Sequence, residues 1–185
     1  NVSAVTNMFG MFRDSSFNGN LSSWDVSNVA DMTLIFYGAT SFNQDLNSWD
    51  VSSVIDMSFM FSRTSMNQDL SSWDVSHVTN MNSMFSQTPF NGNISTWNVS
   101  NVTNMSTMFS QTSFNQDLSS WDVSAVTSMK EMFRDSSFNT NISSWNVSTV
   151  TNMFGMFRDS SFNQDISSWN VSSVANMSEM FRKSV

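Results

Sequence analysis

Seven tryptophans, Trp24, Trp49, Trp73, Trp97, Trp121, Trp145 and Trp169, stand 25, 24, 24, 24, 24 and 24 residues apart. A fixed step of roughly 20 to 50 residues marks a stacked-repeat chain, in which each unit buries its apolar face only against its neighbours. Every column of the repeat then becomes a row along the stack, so function is to be sought in rows. Aligned on Trp, the unit reads W-[DN]-V-S-x-V-x-x-M-x-x-M-F-x-x-x-x-F-N-x-[DN]-[LI]-S-S, and the copy at 121–144 is WDVSAVTSMKEMFRDSSFNTNISS. The one extra residue falls within 37–41, between Phe36 and Phe42, as in a surface turn that tolerates insertions. This describes one continuous solenoid over 1–185, about 7.7 repeats. Its terminal repeats are not replaced by the polar caps that solenoids normally carry. It therefore reads as a segment of a longer array or as a self-stacking unit.

Two periodicities alternate inside the unit. Around Trp121-Asp122-Val123 the apolar and polar residues alternate, the pattern of a short half-buried strand. Val126, Met129, Met132 and Phe133 then recur at i, i+3, i+6 and i+7, one face of a helix of about two turns. Ser3, Ser27, Ser52, Ser76, Ser100, Ser124, Ser148 and Ser172 occupy one column just before it, where a hydroxyl is expected to cap the helix N-terminus. The expectation is an α/β repeat solenoid of 24-residue coils, each with one short parallel β-strand and one short helix.

After the second Phe comes an unvaried column, Asn18, Asn43, Asn67, Asn91, Asn115, Asn139 and Asn163. A buried lone amide leaves donors unmet at a cost of about 1–3 kcal/mol. A row of amides bonded to the backbone of adjacent coils meets them, so these residues are read as a structural ladder. The strings FNQDLSSWDVS and VTNMSTMF resemble the BspA-type leucine-rich repeat family, a form found in mycoplasma-type surface lipoproteins. L-S-S-W-D-V-S-x-V resembles the L-x-x-L-x-L segment of that family, with Trp in the second leucine position. The resemblance covers the whole chain. It implies a leucine-rich-repeat-like coil and an extracellular or cell-surface protein of the kind proposed as an adhesin. The asparagine column of the standard motif holds Val29, Val54, Val78 and Val102 instead, which displaces the polar ladder to the Phe-Asn column.

Composition narrows the function classes. Fifteen acidic against 7 basic residues leave a net charge of -8, which opposes nucleic-acid binding and docking on anionic membranes. With 17 Phe, 16 Met and 7 Trp there is apolar mass for a core, so disorder is not expected. The absence of cysteine removes disulfides and thiolate metal sites. No apolar run reaches the roughly 18 residues that span a bilayer. One His, His77, one Tyr, Tyr37, and no phosphate-cradling Gly loop leave an enzyme without parts, since catalysis needs a singular site.

Rows remain as the candidates. The Trp and Met rows share the apolar face and are read as core. Asp25, Asp50, Asp74, Asn98, Asp122, Asn146 and Asn170 form one mixed acid/amide row, and Asn20, Asp45, Asp69, Asn93, Asp117, Asn141 and Asp165 another. Like charges stacked about 4.8 Å apart repel, so Asp25, Asp50 and Asp74 are a candidate calcium row, calcium taking about 6 to 8 oxygen ligands. N-x-[ST] sequons begin at Asn1, Asn20, Asn93, Asn98, Asn101, Asn104, Asn141, Asn146, Asn170 and Asn176, candidate N-glycosylation positions in a secreted eukaryotic protein. Near-identical copies suit multivalent weak binding or a structural rod. The functional expectation is a non-catalytic module for adhesion or surface coating. Its partners would be other proteins, surface glycans or end-to-end copies of itself. The alternative is a subunit of an extracellular filament, glycosylated along its Asn rows.

Overall fold

The computed structural model describes residues 2–184. The chain winds into eight stacked coils, numbered here 1 (2–23), 2 (24–48), 3 (49–72), 4 (73–96), 5 (97–120), 6 (121–144), 7 (145–168) and 8 (169–184). Successive coils meet at single parallel bridges, Asn7 to Asp31, Asp31 to Asp56, and so on to Asn152 with Asn176. The 24-residue step is therefore the circumference of one coil.

The coils are built otherwise than the periodicities suggest. Among the described residues there is no helix and no strand longer than one bridging residue. The α/β, leucine-rich-repeat-like coil with one strand and one short helix is thus replaced by a chain of β-turns. In coil 6, Trp121 N–H donates to Leu118, Val126 to Val123, Met132 to Met129 and Arg134 to Glu131, at 2.9–3.2 Å. Apolar residues three apart, L-x-x-W, V-x-x-V and M-x-x-M, are the two ends of β-turns. A helix and a run of turns share that spacing, but a helix would direct each N–H to the carbonyl four residues back. Here every second N–H of the M-x-x-M-F segment leaves the coil. The Ser column caps no helix either: the Ser27 hydroxyl donates to Asp25 Oδ1 at 2.7 Å, and Ser52, Ser100 and Ser148 make the same bond to Asp50, Asn98 and Asn146.

Two columns of left-handed residues make the turns possible. Gly10, Leu34, Phe59, Ser83, Thr107, Glu131, Gly155 and Glu179 occupy the first; Asp14, Gly38, Arg63, Gln87, Gln111, Asp135, Asp159 and Lys183 occupy the second, all at φ between 51° and 69°. Both sit third in a four-residue turn, the place where a type II turn needs positive φ. Between them the chain alternates two kinds of peptide unit. Met32, Leu34, Phe36 and Gly38 donate N–H along the axis to Asp56, Ser58, Met60 and Ser62, while Ile35, Tyr37 and Ala39 donate within the coil to Met32, Leu34 and Phe36. The four axial bonds recur at all seven junctions, at 2.7–3.1 Å and always from the lower-numbered coil to the next.

The core fills the centre of the stack by column. Met8 and Met32 onward, Phe36 onward, the Val pairs and Leu/Ile at the L-S-S-W turn are buried through the middle coils. One Phe row, Phe12, Phe36, Phe61, Phe85, Phe109, Phe133, Phe157 and Phe181, stacks at centroid spacings of 5.4–5.9 Å. Within a coil the second Phe lies on the first, as Phe133 on Phe138 at 3.9 Å. Trp49 through Trp169 are 3–7% exposed. Each of these six donates its indole N–H to the Leu or Ile carbonyl 27 or 28 residues earlier, as Trp121 to Ile94 at 3.1 Å, which meets the one polar need of a buried indole.

The odd residue of coil 2 has a local cause. In most coils a buried Ser or Thr hydroxyl bridges two backbone groups. Thr88 Oγ1 donates to Phe85 O at 2.7 Å and accepts from Phe90 N–H at 3.3 Å. Thr64, Thr112, Ser136 and Ser160 do the same. Coil 2 has Ala39 at this place, and there the extra residue lets Phe42 N–H donate directly to Ala39 O at 2.8 Å. One residue of backbone substitutes for one hydroxyl.

Candidate functional site

The outside of the stack is a set of polar rows, each held by the same bond from coil to coil, with Ser128 of the bridging row the exception. Three rows are Asx turns, in which an Asp or Asn Oδ1 accepts the N–H two residues on. The row after Trp accepts from the following Ser, as Asp25 from Ser27, Asp50 from Ser52, Asp74 from Ser76 and Asn146 from Ser148. The row before Leu/Ile does likewise, as Asn20 from Ser22 and Asp117 from Ser119. The third row is the bridging one: Asn7, Asp31, Asp56, Asn80, Asn104, Asn152 and Asn176 accept from the residue two on. Asp and Asn interchange freely here because both offer Oδ1. That third row escaped the sequence reading apart from its two sequons, since V-T-N-M looks like the outer face of a helix.

The Ser partners stabilise the ionised carboxyls. The Ser27 hydroxyl, and then its N–H, hold Asp25 below the usual carboxyl range, and Ser76 and Ser124 act in the same way on Asp74 and Asp122. For Asp117 and Asp165 the N–H of Ser119 and of Ser167 is the larger cause. Hydrogen bonds to the charged form lower a pKa. As for the candidate calcium row, Asp25, Asp50 and Asp74 are exposed, and their Oδ1 atoms are engaged in the turns. Among the described residues, no three His, Asp or Glu side chains come together in a way that could hold a metal ion.

The Asn18 column forms a continuous chain of bonds. Asn43 N–H donates to Asn18 Oδ1 at 3.0 Å, Asn67 to Asn43, Asn91 to Asn67, Asn115 to Asn91, Asn139 to Asn115 and Asn163 to Asn139, each at 2.8–2.9 Å. Gln44, Gln116 and Gln164 add their amide N–H groups to the same acceptors. The row lies exposed or half-buried at the surface, not in the interior as an amide ladder was expected to lie. Next to Trp runs a hydroxyl row, in which Ser48, Ser72, Thr96, Ser120, Ser144 and Ser168 donate to carbonyls one coil back.

Of the sequon residues, Asn20, Asn93, Asn98, Asn101, Asn141, Asn146, Asn170 and Asn176 are exposed, Asn104 is half-buried, and Asn1 lies outside the described residues. Asn101 differs from the others in that its amide donates to Ser76 O at 2.7 Å.

On the turn side of the last three coils, charge departs from the repeat. Arg158 of coil 7 reaches Glu131 of coil 6 at 3.2 Å and Glu179 of coil 8 at 2.7 Å, and Arg182 returns to Glu179 at 3.2 Å. The Arg158 bond holds the Glu179 carboxyl below its usual range. At the other end Arg13 and Arg63 lie over the Tyr37 ring at 5.4 and 5.6 Å, tying three coils together by cation–π attraction. No pocket opens among the described residues, and no helix is long and apolar enough to cross a membrane. What this surface offers chemically is a flat lattice of amides, hydroxyls and carboxylates repeating along one axis.

No curated protein and no solved structure matches this chain. The family model described as "Mycoplasma protein of unknown function, DUF285" matches it in three overlapping segments, 1–89, 62–158 and 134–185. With the repeat running unbroken through all three, the chain belongs to the DUF285 family.

Proposed function

We propose that the chain is a non-catalytic cell-surface module that adheres to, or coats, another surface through its repetitive polar face. The observation that carries this reading is the repetition of one outward unit, the Asx-turn carboxyl or amide with its Ser, in coil after coil. A periodic row of identical weak groups binds by adding contacts along a line, so avidity comes from the number of coils engaged. Apart from the ion pairs of Arg158 and Arg182 with Glu131 and Glu179 and the two guanidiniums over Tyr37, the ionisable groups recur in rows instead of converging on one place, which supports the non-catalytic part. The acidic balance of -8 favours protein or glycan partners over nucleic acid and anionic lipid. The resemblance to BspA-type repeats supports the extracellular placement.

Antibody against the chain should label intact cells of the source organism, and labelling only after permeabilisation overturns the placement. Beads coated with the chain should be retained on matrix-coated or cell-coated surfaces above beads carrying an unrelated acidic protein. Exposed Thr103 and Thr127 stand in adjacent coils, and each donates its hydroxyl to a carbonyl one coil back. The pair Thr103→Lys and Thr127→Lys should reduce retention at least several-fold while lowering the melting temperature only slightly. Equal retention of coated and control beads sinks the adhesion reading.

A further inference from the structure

The turn side of the stack changes character along its axis. In the first left-handed column the inner coils carry Leu34, Phe59, Ser83, Thr107, Glu131 and Gly155 in turn. Only coils 2 and 3 place large apolar side chains there, and both are half-buried. Bulky residues are uncommon at positive φ, and Ser83 and Thr107 show that the turn forms without them. Two neighbours widen the apolar strip. Ile55 is 50% exposed in a column where coils 4 to 7 have Thr, and Tyr37 meets Phe59 edge-on at 6.1 Å.

Charge flanks this strip in a fixed order. Asp31 and Asp56 come three residues before Leu34 and Phe59; Tyr37 and Arg63 come three and four residues after them. Arg63 is exposed and lies over the Tyr37 ring at 5.6 Å. Among the described residues no carboxylate pairs with it. Asp31 accepts from Thr33 and Asn7, and Asp56 from Ser58 and Asn80, yet neither forms an ion pair with a cation of the chain. The strip therefore carries acid along one margin and base along the other, each without a charged partner of its own.

Such a margin is complementary to itself. A two-fold axis laid along the stack, over Leu34 and Phe59, reverses the order of columns and keeps the order of coils. It sets Arg63 of one copy opposite Asp56 of the other, and the Tyr37 hydroxyl opposite Asp31, each pair occurring twice. Leu34 and Phe59 then meet their own counterparts, and Ile55 lies against the aliphatic stem of Arg63. An axis laid across the stack would instead set acid against acid, which opposes association. Farther along the same column Glu131 already meets Arg158 at 3.2 Å, so it turns no free like charge toward its copy.

We propose that this strip docks on a second copy of the chain in the same orientation, giving a closed two-fold dimer with the stacks side by side. The interface is isologous, so association stops at two. The dimer goes beyond the adhesion reading and does not rest on it.

The test uses the whole chain. Sedimentation equilibrium over a rising concentration series should fit monomer and dimer and nothing larger. Phe59→Ser and Arg63→Gln install the residues that coil 4 carries, Ser83 and Gln87, so each should melt within a few degrees of wild type. Phe59→Ser should abolish the dimer over the same range, and Arg63→Gln should raise its dissociation constant by roughly tenfold or more. The chain has no cysteine, so Leu34→Cys places a single thiol on the axis. It should oxidise to a disulfide-linked dimer several-fold faster than Asp122→Cys, at an exposed position elsewhere. A monomeric wild type at the highest soluble concentration, a dimer unchanged in Phe59→Ser, or equal cross-linking of the two thiols overturns the proposal. So does a monomeric wild type whose retention on coated surfaces falls with Phe59→Ser, because the strip then serves a different molecule.

Discussion

At the scale of the residue, the tryptophans act as fasteners between coils. From Trp49 to Trp169, each fills the core with its ring and carries one bond backward, as Trp121 does to Ile94 O. Trp121→Ala removes both, and the cavity left behind should lower stability by about 3–5 kcal/mol. Urea unfolding measures it, and a loss under about 1 kcal/mol would mean that the coils close around the gap. The left-handed positions test the turns in the opposite direction. Gln87 is exposed, has φ 59° and has a side chain that the turn does not need. An L-residue with a Cβ in this region costs roughly 1–2 kcal/mol, of which glycine returns part through its greater freedom when unfolded. Gln87→Gly should therefore raise stability by about 0.5–1 kcal/mol, and Gln87→Val should lower it. Gly155→Ala is the converse case, since φ is 56° and the new methyl would lie 3.2 Å from Glu131 Cγ. It should lower stability by about 1–2 kcal/mol, read as a shifted thermal midpoint.

At the scale of the element, the turn itself is what stabilises the acidic rows. Asp25, Asp74, Asp117, Asp122 and Asp165 all ionise more readily in the folded chain than their ordinary value of 3.8. A depressed folded pKa gives stability that is complete above the unfolded value and disappears as pH falls through the folded one. The melting temperature should thus hold steady from neutrality toward the carboxyl range and fall below it. Asp122→Asn keeps an Oδ1 acceptor, as Asn98 and Asn146 do, and should lose less on acidification than wild type. A melting temperature that rises on acidification would contradict this.

The turns were also the part hardest to read. The period, the inward Trp, Val, Met and Phe columns and the Asn18 row are all visible in the amino-acid string, because repetition exposes them. The secondary structure is not, for two physical reasons. Spacing of three is common to a helical face and to the ends of a β-turn, so Val126, Met129 and Met132 fit both. Moreover, positions that need positive φ usually announce themselves as Gly or Asn, and here Leu34, Phe59, Thr107 and Glu131 fill them. Their conformation is imposed by axial hydrogen bonds at both neighbours, which no local signal encodes. The Asx turns are visible as Asp and Asn two residues before Ser, but the W-D-V alternation that suggests a strand makes them look like a charged row.

At the scale of the whole molecule, the seven junctions are so alike that one is exchangeable for another. Excision of 97–120, one full period, joins Thr96 to Trp121 and brings coil 4 against coil 6 in register. The shortened chain should fold with the same circular-dichroism spectrum and a modestly lower melting temperature, as stability in such arrays approximates a sum over repeats and interfaces. Excision of half as much sets core columns against surface columns and should leave an unfolded chain. If both deletions behave alike, the columns are not what holds the stack in register.

The shared sense of the axial bonds has an electrical consequence. Four backbone N–H groups per junction point one way, and one, such as Ile55 to Ala30, or in the last three junctions two, point back. At about 3.5 D each, the surplus over the stack is on the order of 60 D along the axis before side chains are counted. The stack is polarised with no helix among the described residues, like a compass needle whose two poles are made of amides and carbonyls. In an electric field its solutions should become birefringent, with the backbone contributing to the alignment.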